Sequence, residues 1–411
     1  MVSHSFYEAD NRIIRYAEAL VERGNRVEVV SLRRAPQQRQ CESINGVVVH
    51  RIQDRFGKSE TSPWSYLWPL LRFVLVSTKW LHDQSRMEKF DLVHVHNIPD
   101  FLIFAALPAK RQGAAVILDI HDIVPEFYAS KFGVSSQSLL VRSLRWIERI
   151  SASKADHVVL ANHLWLERFT ARSAPAAKCS VILNYVDQKI FQPSARAKYL
   201  GAPIILFPGG LQWHQGLDIA IRAFATLSRK LPDAQFHIYG DGSSKPGLVA
   251  LVSQLGLSER VKFYDPLTLH QIAEVMATAH LGIVPKRADS FGNEAYSTKI
   301  MEFMSLGVPV VVSRTRIDEF YFNDSVVRFF ESGNETDLAD AMFKVLTDVK
   351  LRESMIRNAS EYVMRHNWER HKIDYLRLVD SLIAGGSVPL AQSCRSTVNP
   401  RSTTRSRDFN G

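Results

Sequence analysis

The 411-residue sequence is poor in cysteine: Cys41, Cys179 and Cys394 are odd in number and far apart. That argues against a disulfide framework or a zinc cluster and for a reducing compartment. No run reaches the roughly eighteen apolar residues that a bilayer-spanning helix needs. The opening MVSHSFYEADNR lacks a basic leader followed by an apolar stretch, so no secretory signal is read there. Neither a G-x-x-x-x-G-K-[ST] phosphate loop nor an H-E-x-x-H metal pair occurs. Acidic residues are outnumbered, leaving a formal charge of +9. Such a surplus suits nucleotide diphosphates, acidic lipid head groups or nucleic acid. The basic residues are scattered rather than gathered into a stripe, which argues against nucleic acid.

What is present describes a globular protein with ample core: 46% hydrophobic and 23% charged residues over a length that suggests two domains. Strand and helix patterns alternate through both halves, the mark of parallel sheets with crossover helices. A first helix is expected from Asp10 to Glu22, with Ile13, Ile14, Ala17, Leu20 and Val21 on one stripe. Strands are expected at 26–32, 47–52, 92–96, 116–120, 158–161 and 180–183, with a long helix at 138–154. A second series begins at Ile204–Phe207 and continues at 236–239, 261–264, 281–284, 308–312 and 326–330. These patterns give an α/β class with a first domain over residues 1–186, a linker at 187–203 and a second domain at 204–366. Residues 384–411 are rich in Ser, Thr and Arg and are expected to be a disordered tail.

The chemistry concentrates in ADSFGNEAYSTKIMEFMSLGVPVVVS, residues 288–313. A helix is expected from Ser297 to Leu306, stopped by Gly307 and Pro309 and capped by Ser297 or Thr298. Its amino end is a ready anion site, and Lys299 adds a point charge beside it. Glu302 lies one turn on, near the same face, and could hold a pair of vicinal hydroxyls such as those of a ribose. Glu294 stands eight residues before it, on a loop. Acid, anion site and second acid match the order of sugar, diphosphate and ribose in a nucleoside diphosphate sugar.

Glu294 and Glu302 fit an E-x7-E signature, and with the flanking STKIMEFMSLGVPVV the segment resembles the retaining family 4 glycosyltransferases. The resemblance covers the chain to about Ile383. It implies the GT-B fold, two doubly wound Rossmann-like domains facing each other across a cleft, with a closing helix at 367–383 that crosses back onto the first domain. Members of that family open with a complete central strand. Here only Met1, Val2 and Ser3 remain, so the first domain is expected to lack that strand and the native chain to begin upstream of Met1.

The loop ILFPGGLQWHQGLD is similar to the family's G-R-L-x-x-x-K-G loop, but Gly210 and Gln215 stand where Arg and Lys are usual. The donor-binding set implied is therefore Gly209, Gly210, His214, Gln215, Ser297, Thr298, Lys299 and Glu302, with the phosphate grip falling on Lys299, backbone amides and His214. Gly240-Asp241-Gly242 matches the family's G-D-G turn and is read as structural first. In ILDIHDIVPEFY, His121 follows a strand and fits the family's histidine near the donor sugar and acceptor; His121 and Glu294 are the catalytic candidates. Asp122 and Glu126 are weaker ones, and His94 and His96 are read as packing or capping. No D-x-D occurs, which favours a metal-independent enzyme without a cofactor. The reaction implied moves a hexose from a UDP- or GDP-sugar to a saccharide or lipid-linked acceptor, in cell-surface polysaccharide or glycolipid synthesis. Segment Pro63–Leu81, with three Trp residues, Arg72 and Lys79, suits a helix that packs inward and shows an aromatic edge to a membrane or to a lipid-linked acceptor. The location expected is cytoplasmic, on the inner membrane face. The rival readings are a non-catalytic nucleotide-sugar-binding protein and a hydrolase or epimerase on the same fold.

Overall fold

The computed structural model describes residues 1–55, 63–193 and 201–385. Its first half is built on β1 (Val2–Ser3), β2 (Glu28–Arg33), β3 (Cys41–Ile44), β4 (Val47–Asp54), β5 (Leu92–His96), β6 (Ala115–Ile120), β7 (His157–Leu160) and β8 (Cys179–Val181). These eight strands lie in the order β3-β4-β2-β1-β5-β6-β7-β8. All pairings are parallel except β3 with β4, an antiparallel hairpin at the edge. That hairpin turns at Asn45-Gly46, both at positive φ, as a two-residue Asn-Gly turn requires.

The strand expected to be lacking is there, reduced to two residues. Val2 pairs with Val30 on one side and Val95 on the other, and Ser3 pairs with His96. The Met1 and Ser5 carbonyls extend the ladder by accepting from Val30 and Leu32 at 2.9 Å. Two residues are too short for a periodic signal, yet enough to occupy the slot between β2 and β5.

The second half carries β9 (Ile204–Pro208), β10 (Gln235–Tyr239), β11 (Val261–Tyr264), β12 (Leu281–Val284), β13 (Val310–Arg314) and β14 (Arg328–Glu331). They form a parallel sheet in the order β11-β10-β9-β12-β13-β14. Both faces are covered: Ile205 and Phe207 join one buried cluster while Leu206, between them, joins the other. That is why these strands read as continuous apolar runs rather than alternating ones. β13 starts two residues later than expected, because Gly307, Val308 and Pro309 make the turn that leaves the preceding helix. In both sheets the strand order reverses next to the first strand of its set, between β1 and β5 and between β9 and β12. Ligands of open α/β sheets bind at the carboxyl ends of the strands at such reversals.

Helix α1 (Asn11–Glu22) is capped by Asp10, whose carboxylate accepts from the Ile13 amide at 3.3 Å. Its buried face holds more than the apolar stripe, because Arg12 and Arg15 are also buried. Helix α2 (Pro63–Met87) buries Leu70, Phe73 and Leu81 and exposes Trp68, Leu71 and Leu75. The side chains of residues 63–66, Trp64 among them, lie outside the described set. After the first sheet's helices α3 (Val124–Phe132), α4 (Leu139–Lys154) and α5 (His163–Thr170) come, in the second domain, α6 (Thr298–Ser305) and the last helix α7 (Trp368–Ile383). The Trp368 amide donates to the Val186 carbonyl at 3.1 Å, and Trp368 and Tyr375 pack around Tyr16 of α1 at 5.5 and 4.1 Å between ring centroids. The chain thus returns to its first domain. Part of the expected linker (194–200) and the expected tail from residue 386 lie outside the described residues.

Candidate functional site

The second domain's side of the site grows from the loops after β9 and β12. Gly209 leaves β9 with φ +126°, and its amide donates to the Tyr239 carbonyl at 2.8 Å. A Cβ there would come within 2.5 Å of Lys299 Cε. Glycine at 209 is what lets the lysine cross the loop. Under it, a Cβ on Gly240 would lie 1.9 Å from the Gly209 carbonyl oxygen. The Gly-Asp-Gly turn therefore supports the phosphate-loop candidate by close packing. At Gly210, where the family pattern has arginine, the Gln212 Oε1 lies 2.2 Å from where a Cβ would stand. Gln212 fills that space.

Helix α6 begins with Ser297 at its N-cap, but the expected capping bond is absent: the Ser297 hydroxyl is buried and has no hydrogen-bond partner. Lys299 Nζ lies 3.3 Å from Gln215 Oε1 and 5.2 Å above the Phe207 ring. Gln215, standing where the pattern has lysine, thus serves as an acceptor for Lys299. Burial lowers the Lys299 pKa, Glu302 opposes this, and Lys286 adds to it. Burial likewise raises Glu302, against the Thr298 hydroxyl bonded to it, Lys299 and Arg15. Arg15 comes from α1, so Glu302 faces the first domain. The His214 ring meets Phe291 at 5.9 Å, and burial lowers its pKa, with Lys299 in the same direction and Asp289 against.

Glu294 sits on the loop between β12 and α6, which is pinned at both ends. Buried Lys286 donates to the Ala295 carbonyl at 2.6 Å and pairs with Asp318 at 2.9 Å. Asp289 accepts from the Ser130 hydroxyl of α3 at 3.0 Å, and Phe291 packs on Phe127. From the first domain, Asn162 Nδ2 donates to the Glu294 carbonyl at 2.9 Å, and Arg168 of α5 pairs with Glu294 Oε1. The other carboxylate oxygen, Oε2, is buried and unpartnered. Glu294 therefore lies where the two domains meet.

The first domain's side is charged, and its carboxylate is paired, while His94 Nε2 and His96 Nε2 are buried without hydrogen-bond partners. His121 follows β6, and its amide donates to Asn97 Oδ1 at 2.7 Å. Its Nε2 lies 3.0 Å from His96 Nδ1 and 3.4 Å from Asp119 Oδ2. Asp119 accepts from Arg12 through both oxygens at 2.8 Å. His94 lies 3.7 Å from Asp119 and bonds the Tyr375 hydroxyl of α7 at 3.0 Å. His94, His96 and Asp119 bring ligand-type atoms within 4.8 Å of one another. Arg12 already supplies the positive charge such a group would seek, so the cluster is paired as it stands. Of the weaker candidates, Asp122 is pushed up to about 6 by burial. Glu126 is tied to Arg172 at 2.6 Å, and Arg172 also holds buried Glu148 at 2.7 Å. Glu126 is thus part of a structural ion network.

The structure brings Gly209, Gln215, Thr298, Lys299 and Glu302 together on one side. It leaves His121 without a hydrogen bond or ion pair to the second domain among the described residues. Sequence reasoning missed Arg12, Asp119, Arg168 and Gln212. Asp119 carried a signal, being a lone acid inside the apolar run of a buried strand, where a charge must have a partner.

Comparison with known proteins matches both halves. Residues 9–185 fit the family described as "Glycosyl transferase 4-like domain", and residues 188–362 fit "Glycosyl transferases group 1". A D-inositol 3-phosphate glycosyltransferase from Nocardiopsis dassonvillei is 26% identical over 340 residues, 76% of this chain and 75% of that protein. Sucrose-phosphate synthase from Thermosynechococcus elongatus superposes with a TM-score of 0.75 at 18% identity, covering 94% of this chain and 99% of that one. Anabaena HepE in complex with UDP and glucose superposes at 0.70 with 16% identity, covering 92% and 98%. With its two halves matching two glycosyl transferase domain models and its fold shared with these solved GT-B proteins, the chain is a glycosyltransferase of GT-B architecture.

Proposed function

We propose that this chain is a retaining, metal-independent hexosyltransferase of the family 4 type, using a UDP- or GDP-linked sugar. The carrying observation is the amino end of α6: a buried Ser297 hydroxyl without a partner and a Lys299 ammonium with one long contact, 3.3 Å, to an amide oxygen. Unmet donors at a helix amino end suit a diphosphate. Lys299, Ser297 and Thr298 would hold it, with Gly209, Gly210, His214 and Gln215 lining the approach. Glu302 would take the ribose hydroxyls. Glu294, whose Oε2 has no partner, would meet the sugar, and His121 the reacting region. In the transfer, the sugar C1–O bond to the phosphate breaks and a bond from C1 to the acceptor oxygen forms on the same face. The acceptor hydroxyl proton passes to the departing phosphate, whose charge Lys299 and the helix dipole stabilise.

HepE, of the same fold, is known in complex with UDP and glucose, which makes a UDP-sugar the first donor to test. The acceptor class proposed is a saccharide or lipid-linked saccharide of polysaccharide or glycolipid synthesis. Helix α2 would bring the enzyme to a membrane surface through exposed Trp68, Leu71 and Leu75 beside Arg72 and Lys79. No helix among the described residues is long and apolar enough to cross a membrane. Thermal melts across UDP- and GDP-sugars identify the donor, since a ligand at a hundredfold its Kd adds about 2.7 kcal/mol. NMR of the product then gives the anomer: retention is expected, and inversion would refute the mechanism. The neutral residues at 210 and 215 also fit a non-catalytic nucleotide-sugar binder, which would bind UDP or GDP and never release it from a sugar.

A further inference from the structure

His121 is the outer end of a buried chain of charge. Its side chain is 20% exposed, whereas Asp119 and His96 behind it are fully buried. Asp119 can therefore act on a substrate only through the histidine ring. The carboxylate is locked: Arg12 Nε and a terminal nitrogen each donate to it at 2.8 Å, and a third Arg12 nitrogen donates to the Ile182 carbonyl at 2.7 Å. The ring is oriented in turn. Its Nε2 faces His96 Nδ1 at 3.0 Å and Asp119 Oδ2 at 3.4 Å. An Nε2–H reaches Asp119 Oδ2 in this geometry, with His96 Nδ1, itself 3.3 Å from that oxygen, beside it, which leaves Nδ1 as the nitrogen turned outward.

We propose that Asp119, fixed by Arg12, is the positioning residue of His121: it holds the ring by Nε2 as an imidazolium and so presents Nδ1–H to an oxygen of the bound nucleotide sugar. This rests on the reading of His121 as a residue of the transfer site. It makes the histidine a hydrogen-bond donor and a positive charge, not a general base. The groups around the ring act in this sense. Burial alone would lower the His121 pKa, but Asp119 raises it, helped by Asp10 at the cap of α1 and opposed by Arg12. From β5, His96 is held well below its usual value by burial and by His94, so it stays neutral and can accept. His94 faces Asp119 and is tied to Tyr375 of α7. On the same loop, Asp122 is pushed up to about 6 by burial.

Asp119→Asn keeps the shape and removes the charge. The transfer rate of the full-length enzyme is measured as kcat/KM from pH 5.5 to 9, with His121→Ala and the double variant alongside. The expected result is an alkaline limb moved down by about one pH unit. The loss would be about tenfold at pH 8 and small at pH 6, and the double variant would be no worse than His121→Ala alone. A loss equal at every pH, or a profile matching wild type while His121→Ala is crippled, would overturn Asp119's role alone. Undiminished turnover in His121→Ala would overturn the reading of His121 and this inference with it. Should Asp119→Asn fail to fold, 15N NMR of histidine-labelled wild type decides, with His121→Ala assigning the signal. An Nε2-protonated ring titrating above 6.5 supports the proposal, and an Nδ1-protonated neutral ring overturns it.

Discussion

The two sides of the site differ in how far their polar groups are satisfied. On the first domain's side Asp119 has Arg12 on both oxygens, and His121 and His96 are bonded to one another and lie against that carboxylate. On the second domain's side Ser297 Oγ and Glu294 Oε2 are buried without partners, and Lys299 has one long contact. A buried polar group left unmade costs about 1–3 kcal/mol. The Asp119–Arg12 pair is finished without a ligand, although His94 Nε2 and His96 Nε2 beside it are buried without hydrogen bonds; the amino end of α6 is not finished.

Removing a partner on the finished side should therefore show first in stability. Asp119→Ala leaves the Arg12 guanidinium buried and unpaired, an expected cost of about 3–5 kcal/mol, read by urea or thermal unfolding. On the unfinished side the loss should fall on function. Lys299→Ala is expected to keep its melting temperature within a few degrees and to lose about 10²–10³-fold in kcat. Ser297→Ala carries the contrast furthest. Deleting a buried hydroxyl with no partner should leave the free protein unchanged or up to about 1 kcal/mol more stable, while weakening nucleotide binding about tenfold by calorimetry. A stability loss there would break the comparison. The smallest effect belongs to the membrane edge: Trp68→Ser with Leu75→Ser should leave kcat on a soluble acceptor unchanged and reduce sedimentation with anionic vesicles several-fold.

Acid tests the first domain in another way. Burial pushes the His157 imidazole, bonded to Ser180 at 2.8 Å, down to about 4. Its folded pKa lies below the unfolded value near 6.5, so the unfolded chain takes up a proton first. Stability is full above about 6.5 and is lost as the pH falls toward 4, by about 2–3 kcal/mol for this group. His157→Gln should show a smaller melting-temperature drop between pH 7 and pH 4.5 than wild type.

Elements with strong periodicity were legible in the sequence. The 92–96, 261–264 and 281–284 strands run over the expected residues, and Asp10, Ser138 and Asn367 each cap a helix where a start signal stands. The edge strand Cys41–Ile44 went unread although Asn45-Gly46 marks its turn, because its polar residues give no buried face. β1 was unreadable because two residues carry no period. For the site, spacing placed Lys299 and Glu302 on one helix face. It could not show that Gln215 meets Lys299, nor that Arg168 reaches Glu294 across the domains, since those contacts depend on tertiary packing between distant segments.

The most direct test is calorimetric titration of UDP and GDP into wild type and into a Lys299→Ala, Glu302→Ala double variant of unchanged fold. One nucleotide is expected to bind wild type at one site per chain, with affinity reduced at least a hundredfold in the double variant. Equal affinity in both proteins would place the nucleotide elsewhere and contradict the account.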